Sequence, residues 1–218
     1  MFMLKGEAML LGDVEKLLRD GLEIDEENKG AFKSRIQHLQ RMQFPPGTNT
    51  GKGKKFDYGW TQIIQYIVVF DLIDQGLSPE IATSMVAKRS RAIESGAITF
   101  ARMLSSSENV REMILEQKVA NGEGIFLRCV ANNLGSLKRS ENNGSQFIET
   151  LKESVLFMDG NHSPGFLIRR TATFVNFGSR ILHAINFIGA KLEVGLDEAI
   201  GSFLKWAESN DRENAARL

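Results

Sequence analysis

Three glycines and three lysines fall within FPPGTNTGKGKKFDY, Phe44 to Tyr58. Glycine lets a backbone come close to a phosphate and lysine supplies positive charge, so such a stretch suits either a nucleotide-binding loop or a segment that grips a nucleic-acid backbone. The nucleotide loop needs four residues between its first glycine and a Gly-Lys-Ser/Thr end, and it opens directly into a helix. Here three residues separate Gly47 from Gly51, and Lys52 is followed by Gly53. The stretch also follows a helical pattern, not a strand. Spacing and context both disfavour a nucleotide, and a polyanion backbone is the better match.

Other residue types with chemical potential are scattered. His38, His162 and His183 lack metal-ligand spacing with acids or with the single cysteine, Cys129, which sits in the apolar run GIFLRCV as a small hydrophobe. Asp159, His162 and Ser163 are close together in DGNHSPG, but Asp, Asn, Gly and Pro together also make a turn. No G-x-S-x-G nucleophile turn is present. The expectation is a protein that is not an enzyme, with no catalytic residues, no cofactor and no metal site.

Charge sharpens the polyanion reading. Of 218 residues, 27 are basic and 27 acidic, giving zero net charge. From Lys29 to Lys55, however, the charged residues are Lys29, Lys33, Arg35, Arg41, Lys52, Lys54 and Lys55, without one Asp or Glu. The preceding segment, Glu23 to Glu27, is acidic. A neutral chain with one acid-free basic tract can steer a polyanion locally without binding indiscriminately.

These residues must be held by helices. Asp13 is placed to cap a short helix through Leu18 that stops at Gly21. Asp25 can cap a longer one reaching Met42, where Pro45-Pro46-Gly47 must end it. At about 100° per residue, Phe32, Ile36 and Leu39 share one stripe and Lys33, Ser34, Arg35, Gln37, His38 and Arg41 spread over the rest. The apolar stretch from Trp60 to Gln75 covers more than one face and is expected to be a buried helix. Gly76 ends it, and Ser78-Pro79 starts the next, to about Glu94, with Ser78 as N-cap.

Gly96 and Ser105-Ser106-Ser107 mark a boundary, dividing the chain into 1–95 and 96–218. In the second part, Glu108 to Ala120 reads as helix and Gly124 to Val130 as strand, followed by a polar loop from Asn132 to Ser145. Ser154 to Met158 and Phe166 to Thr171 are further strand candidates; helices follow from Phe174 to Lys191 and Asp197 to Glu208. The fold class is therefore mostly α, of α+β type, with a small sheet in the C-terminal domain. Phe166, Phe174, Phe177, Phe187, Phe203 and Trp206 could line a pocket, although aromatics at helical spacing more often form plain core. No apolar run approaches the roughly 20 residues that span a bilayer, and the acids near the start do not suit a signal peptide. A cytoplasmic protein without a membrane partner is expected.

The order of these parts resembles the winged helix-turn-helix of the MerR family of transcription regulators. SRIQHLQRMQFPP stands where that family has its basic reading helix, GTNTGKGKKFDY where it has its wing ending in a tyrosine, and WTQIIQYIVVFDLIDQGLSPEIA where it has the helix closed by Gly-Phe-Ser. The resemblance covers Arg35 to Met85, about a quarter of the chain. The entry to the reading helix is longer and more acidic here, the wing is longer, and no inducer pocket or metal-binding cysteine set is recognisable.

The resemblance implies a sequence-specific regulator that binds double-stranded DNA, its helix in the major groove and its wing on the backbone. Lys33, Ser34, Arg35, Gln37, His38 and Arg41 would come from the helix, with Thr50, Lys52, Lys54, Lys55 and Tyr58 from the wing. Arg35 and Arg41 would suit guanine, and the lysines phosphates. One module covers few base pairs, so a homodimer is expected, and residues 96–218 could dimerise or hold a small-molecule effector or protein partner. Two other readings stay open: a phage or mobile-element architectural factor, and an α+β enzyme with a nucleic-acid-targeting module.

Overall fold

The computed structural model describes residues 9–48, 55–106, 125–130, 147–152 and 173–215, with side chains omitted in the three strand segments and after residue 212. The protein is mostly α. Among the described residues the helices are α1 (Leu11–Gly21), α2 (Lys29–Arg41), α3 (Trp60–Asp74), α4 (Pro79–Lys88), α5 (Ser90–Ser106), α6 (Phe177–Lys191) and α7 (Leu196–Ala215), with one 3-10 turn at Glu26–Asn28.

Two compact units form, Met1–Ile67 with Arg180–Leu218, and Val68–Ser179. This departs from the expected division at residue 95. The first unit takes its last two helices from the end of the chain, and the boundary falls inside α3. Composition shifts could not reveal this, because a helix buried all round shows no break where one unit gives way to the next. Ile63, Ile64, Tyr66, Ile67, Val68, Val69, Phe70 and Leu72 are all buried.

In the first unit, α6 runs antiparallel to α1. Arg180 donates to the Gly21 carbonyl, His183 Nε2 lies 3.3 Å from the Leu17 carbonyl, Lys16 sits over the Phe187 ring and Lys191 pairs with Asp13 at 3.2 Å. Gly21 makes this approach possible: a Cβ there would lie 2.8 Å from His183 Cδ2 and 3.0 Å from Nε2. α7 packs on the start of α3. Trp60 donates to Ser202 Oγ at 3.3 Å, Trp206 donates to Thr61 Oγ1 at 3.0 Å, and Phe203 touches both indoles, edge-on to Trp60 and stacked on Trp206. Phe177, Phe203 and Trp206 are thus plain core, while Phe187 is half-buried beneath Lys16. The side chains of Phe166 and Phe174 lie outside the described residues.

Three helix stops follow one device. After α1, α2 and α6 the chain reads Leu22-Glu23-Ile24, Met42-Gln43-Phe44 and Leu192-Glu193-Val194, each with its middle residue at positive φ. The following residue's N–H returns to a carbonyl five positions back, Ile24 to Arg19, Phe44 to Leu39 and Val194 to Gly189. These are Schellman closures with an apolar residue after the left-handed one. Gly21, expected as the stop, is instead the last residue of α1, and Asp13 lies inside the first turn, accepting the Leu10 N–H at 2.9 Å. Asp25 precedes the 3-10 turn, so α2 begins later than expected. α3 closes on glycine instead: Gly76 has φ +89° and Leu77 N–H returns to Leu72, after which Ser78 caps α4 with Pro79 in its first turn, as the sequence implies.

In the second unit, α5 lies against β1 (Ile125–Val130) and β2 (Phe147–Lys152), and α4 against α5 and β2. The strand order is β2-β1-β3, with β3 (Thr173–Asn176) and β2 both antiparallel to β1. β1 matches the expected Gly124 to Val130 segment within one residue. β3 occupies the start of the segment expected as helix, and α6 begins at Phe177. The expected helix at Glu108 to Ala120, the loop at Asn132 to Ser145, the strands at Ser154 to Met158 and Phe166 to Thr171, and the turn carrying Asp159, His162 and Ser163 lie outside the described residues.

Candidate nucleic-acid interface

The apolar stripe of α2 sets which side chains reach solvent. Phe32, Ile36 and Leu39 span about 60° of the helix and are buried, at 5%, 1% and 1% exposure. Lys33, Gln37, Arg41, Ser34 and His38 follow in that order around an arc of about 140° on the other side. All are exposed except His38, which is half-buried. Arg35 is exposed but stands about 160° from Lys33 and 120° from Arg41, on the flank of the helix. Lys33, Ser34, Gln37 and Arg41 therefore form one surface, and Arg35 belongs to its margin.

Local contacts keep that surface positive. Glu26, in the acidic link before α2, takes Arg19 and Lys29 as ion partners at the helix's N-terminal end. His38 and Arg41 lie in the last turn, where the helix dipole favours positive charge. Ser34 donates to the Gly30 carbonyl at 2.9 Å, leaving its oxygen able to accept from a ligand.

The lysine-bearing segment springs from a fixed base. On one side, Phe44 closes α2 and meets Tyr66 edge-on at 5.9 Å, while Tyr66 donates to the Phe44 carbonyl at 3.4 Å. Pro45 to Thr48 then turns, Gly47 taking φ +81° and Thr48 N–H and Oγ1 both donating to the Pro45 carbonyl. On the other side, Tyr58 N–H donates to the Met9 carbonyl at 2.9 Å, and the Tyr58 ring packs between Phe56 and Tyr66. Gln40 Nε2 donates to the Tyr58 hydroxyl at 3.1 Å, fastening this base to α2 itself. Burial holds the Tyr66 hydroxyl in its neutral form, well above the usual tyrosine range.

Two expectations need correction. Tyr58, expected to contact DNA, is 2% exposed with its hydroxyl turned to Gln40; it is an anchor. The winged helix-turn-helix also does not match what is described: residues 55–59 form no strand, and no described residue before β1 does. Seven residues, Leu22 to Asn28, separate α1 from α2 in place of the turn of about three or four residues of that motif. Lys55 is exposed, and Thr50, Lys52 and Lys54 lie outside the described residues. Gln40 escaped the sequence reading; its one signal is its place about 40° from Ile36 at the edge of the buried stripe.

No family model matches the chain, and neither a curated protein nor a solved structure matches it. Among the described residues no helix is long and apolar enough to cross a membrane.

Proposed function

We propose that this chain binds double-stranded DNA, presenting Lys33, Ser34, Gln37, His38 and Arg41 of α2 to the major groove and Lys55, with Lys52 and Lys54, to the backbone. The observation that supports it is the acid-free, exposed face of α2 on a helix that Gln40 fastens to Tyr58, in the aromatic base from which the lysine-bearing stretch of sequence begins and ends. Arg41, in the middle of the arc, is the residue suited to bidentate contact with guanine, and Arg35 on the flank suits a phosphate. Such a face reads only a few base pairs. A two-fold pair reading two half-sites, as a transcription regulator would, supplies useful specificity.

The test is selection of duplexes from a random pool, followed by affinity measured against salt. Arg41→Ala is expected to shift the selected sequence, at about 1–3 kcal/mol of lost discrimination per base contact. Lys52→Ala and Lys55→Ala are expected to weaken all duplexes alike and to lower the slope of log affinity on log salt by about 0.9 for each lost phosphate contact. Absence of binding at low salt, or slopes unchanged in the lysine variants, would overturn the proposal.

A further inference from the structure

The second unit carries a positive surface of its own. α5 buries Ile93, Gly96, Ala97, Ile98, Phe100, Ala101 and Leu104, which leaves Arg91, Ser95, Thr99, Arg102 and Ser106 within an arc of about 80° on the opposite side. Arg91, Ser95, Arg102 and Ser106 are exposed and Thr99 is half-buried. Arg91, Arg102 and Ser95 are the members of this arc suited to donate to phosphate oxygens; Thr99 and Ser106 give their hydroxyl protons to the Ser95 and Met103 carbonyls, and Glu94 stands about 60° from Arg91, outside the arc. Lys88 and Arg89, both exposed, extend the positive charge across the junction with α4, and the first turn of α5 holds no acid. Placing Arg91 there opposes the helix dipole, so its position works against the isolated helix; a bound polyanion would reverse that penalty.

We infer that the exposed face of α5, led by Arg91 and Arg102 with Lys88 and Arg89 at its start, is a second contact surface for the phosphate backbone of double-stranded DNA. Charge complementarity names the occupant. The eleven helical steps from Arg91 to Arg102 rise about 16 Å, a length over which a duplex presents about ten phosphate charges. Arginines and one serine hydroxyl, without Asn, Gln or an apolar reader, give a surface that holds a backbone without reading sequence. The inference rests on the DNA-binding reading and adds a backbone-contacting surface in the second unit.

The experiment compares the full chain with Arg91→Gln/Arg102→Gln and, separately, Lys88→Gln/Arg89→Gln, on one selected duplex and one unrelated duplex between 50 and 200 mM salt. Loss of two phosphate contacts is expected to make the salt-induced fall in affinity about 12-fold smaller, equally on both duplexes, with circular dichroism and unfolding midpoint unchanged. A wild-type chain that binds with a slope neither pair alters would overturn this inference and leave the role of α2 standing. A wild-type chain that binds neither duplex would overturn the DNA-binding reading itself. Sequence preference altered by Arg91→Gln/Arg102→Gln would overturn the inference about α5 while leaving DNA binding in place, since the face would then be reading bases.

Discussion

Replacing Gly21 with alanine sets two effects against each other where α1 meets α6. Alanine in a helix interior gains up to about 1 kcal/mol over glycine, and less at the last helical residue. Against this, the new Cβ would lie 2.8 Å from His183 Cδ2 and 3.0 Å from Nε2, closer than nonbonded atoms tolerate. The imidazole cannot simply swing aside, because it lies 3.3 Å from the Leu17 carbonyl, and Arg180 holds the Gly21 carbonyl from the same helix. Forced repacking of this kind costs about 1–3 kcal/mol, so Gly21→Ala is expected to destabilise the first unit by about 1–2 kcal/mol. In a His183→Ala background the obstruction is gone, and the same change is expected to be neutral or mildly stabilising. Both tryptophans, Trp60 and Trp206, are buried in the first unit, so urea unfolding followed by their fluorescence reports that unit. The reasoning is refuted if Gly21→Ala stabilises the otherwise native chain, or if the two substitutions add within about 0.5 kcal/mol, the range expected of independent sites.

Gln43 occupies a left-handed position at φ 59°, so Gln43→Gly is expected to stabilise by about 0.5–1 kcal/mol; an unchanged or lowered urea midpoint would count against the closure described for α2. Tyr66 is raised by burial, whereas its unfolded counterpart ionises near pH 10. The unfolded state therefore loses a proton first, and the contribution present below about pH 10 is expected to decline above it by about 1.4 kcal/mol per pH unit; Tyr66→Phe should remove that much of the alkaline slope, and an identical slope would contradict it. Ending the chain after Ser179 removes α6 beyond its first turn and all of α7, exposing Trp60, Val14 and Leu17. The fragment is expected to lose its cooperative tryptophan transition, and a retained sharp transition would show that α1 to α3 suffice.

Short-range signals were legible wherever a residue's conformation depends on its immediate neighbours. The Phe32, Ile36 and Leu39 stripe emerged with the predicted face buried, and Gly76-Leu77-Ser78-Pro79 formed the expected stop and cap. Glu23, Gln43 and Glu193 were missed because a long polar residue carries no obvious signature of the left-handed conformation. Their apolar successors Ile24, Phe44 and Val194 were the available clue. The lysine-bearing segment was ambiguous for a different reason: its composition specifies charge and turning, and neither requires a hairpin.

By itself the sequence determined the placement of helix faces and of charge, since periodicity and an acid-free run are properties of consecutive residues. Tertiary structure alone decided which helices complete the first unit. Trp60 and Ser202 stand 142 residues apart, and His183 and Leu17 166 apart; no local spacing encodes such partners, because each pairing is chosen by complementary shape and burial after both helices exist. For the same physical reason Tyr58, reading as an exposed wing tyrosine in the chain, became an anchor once Gln40, Phe56 and Tyr66 closed around it.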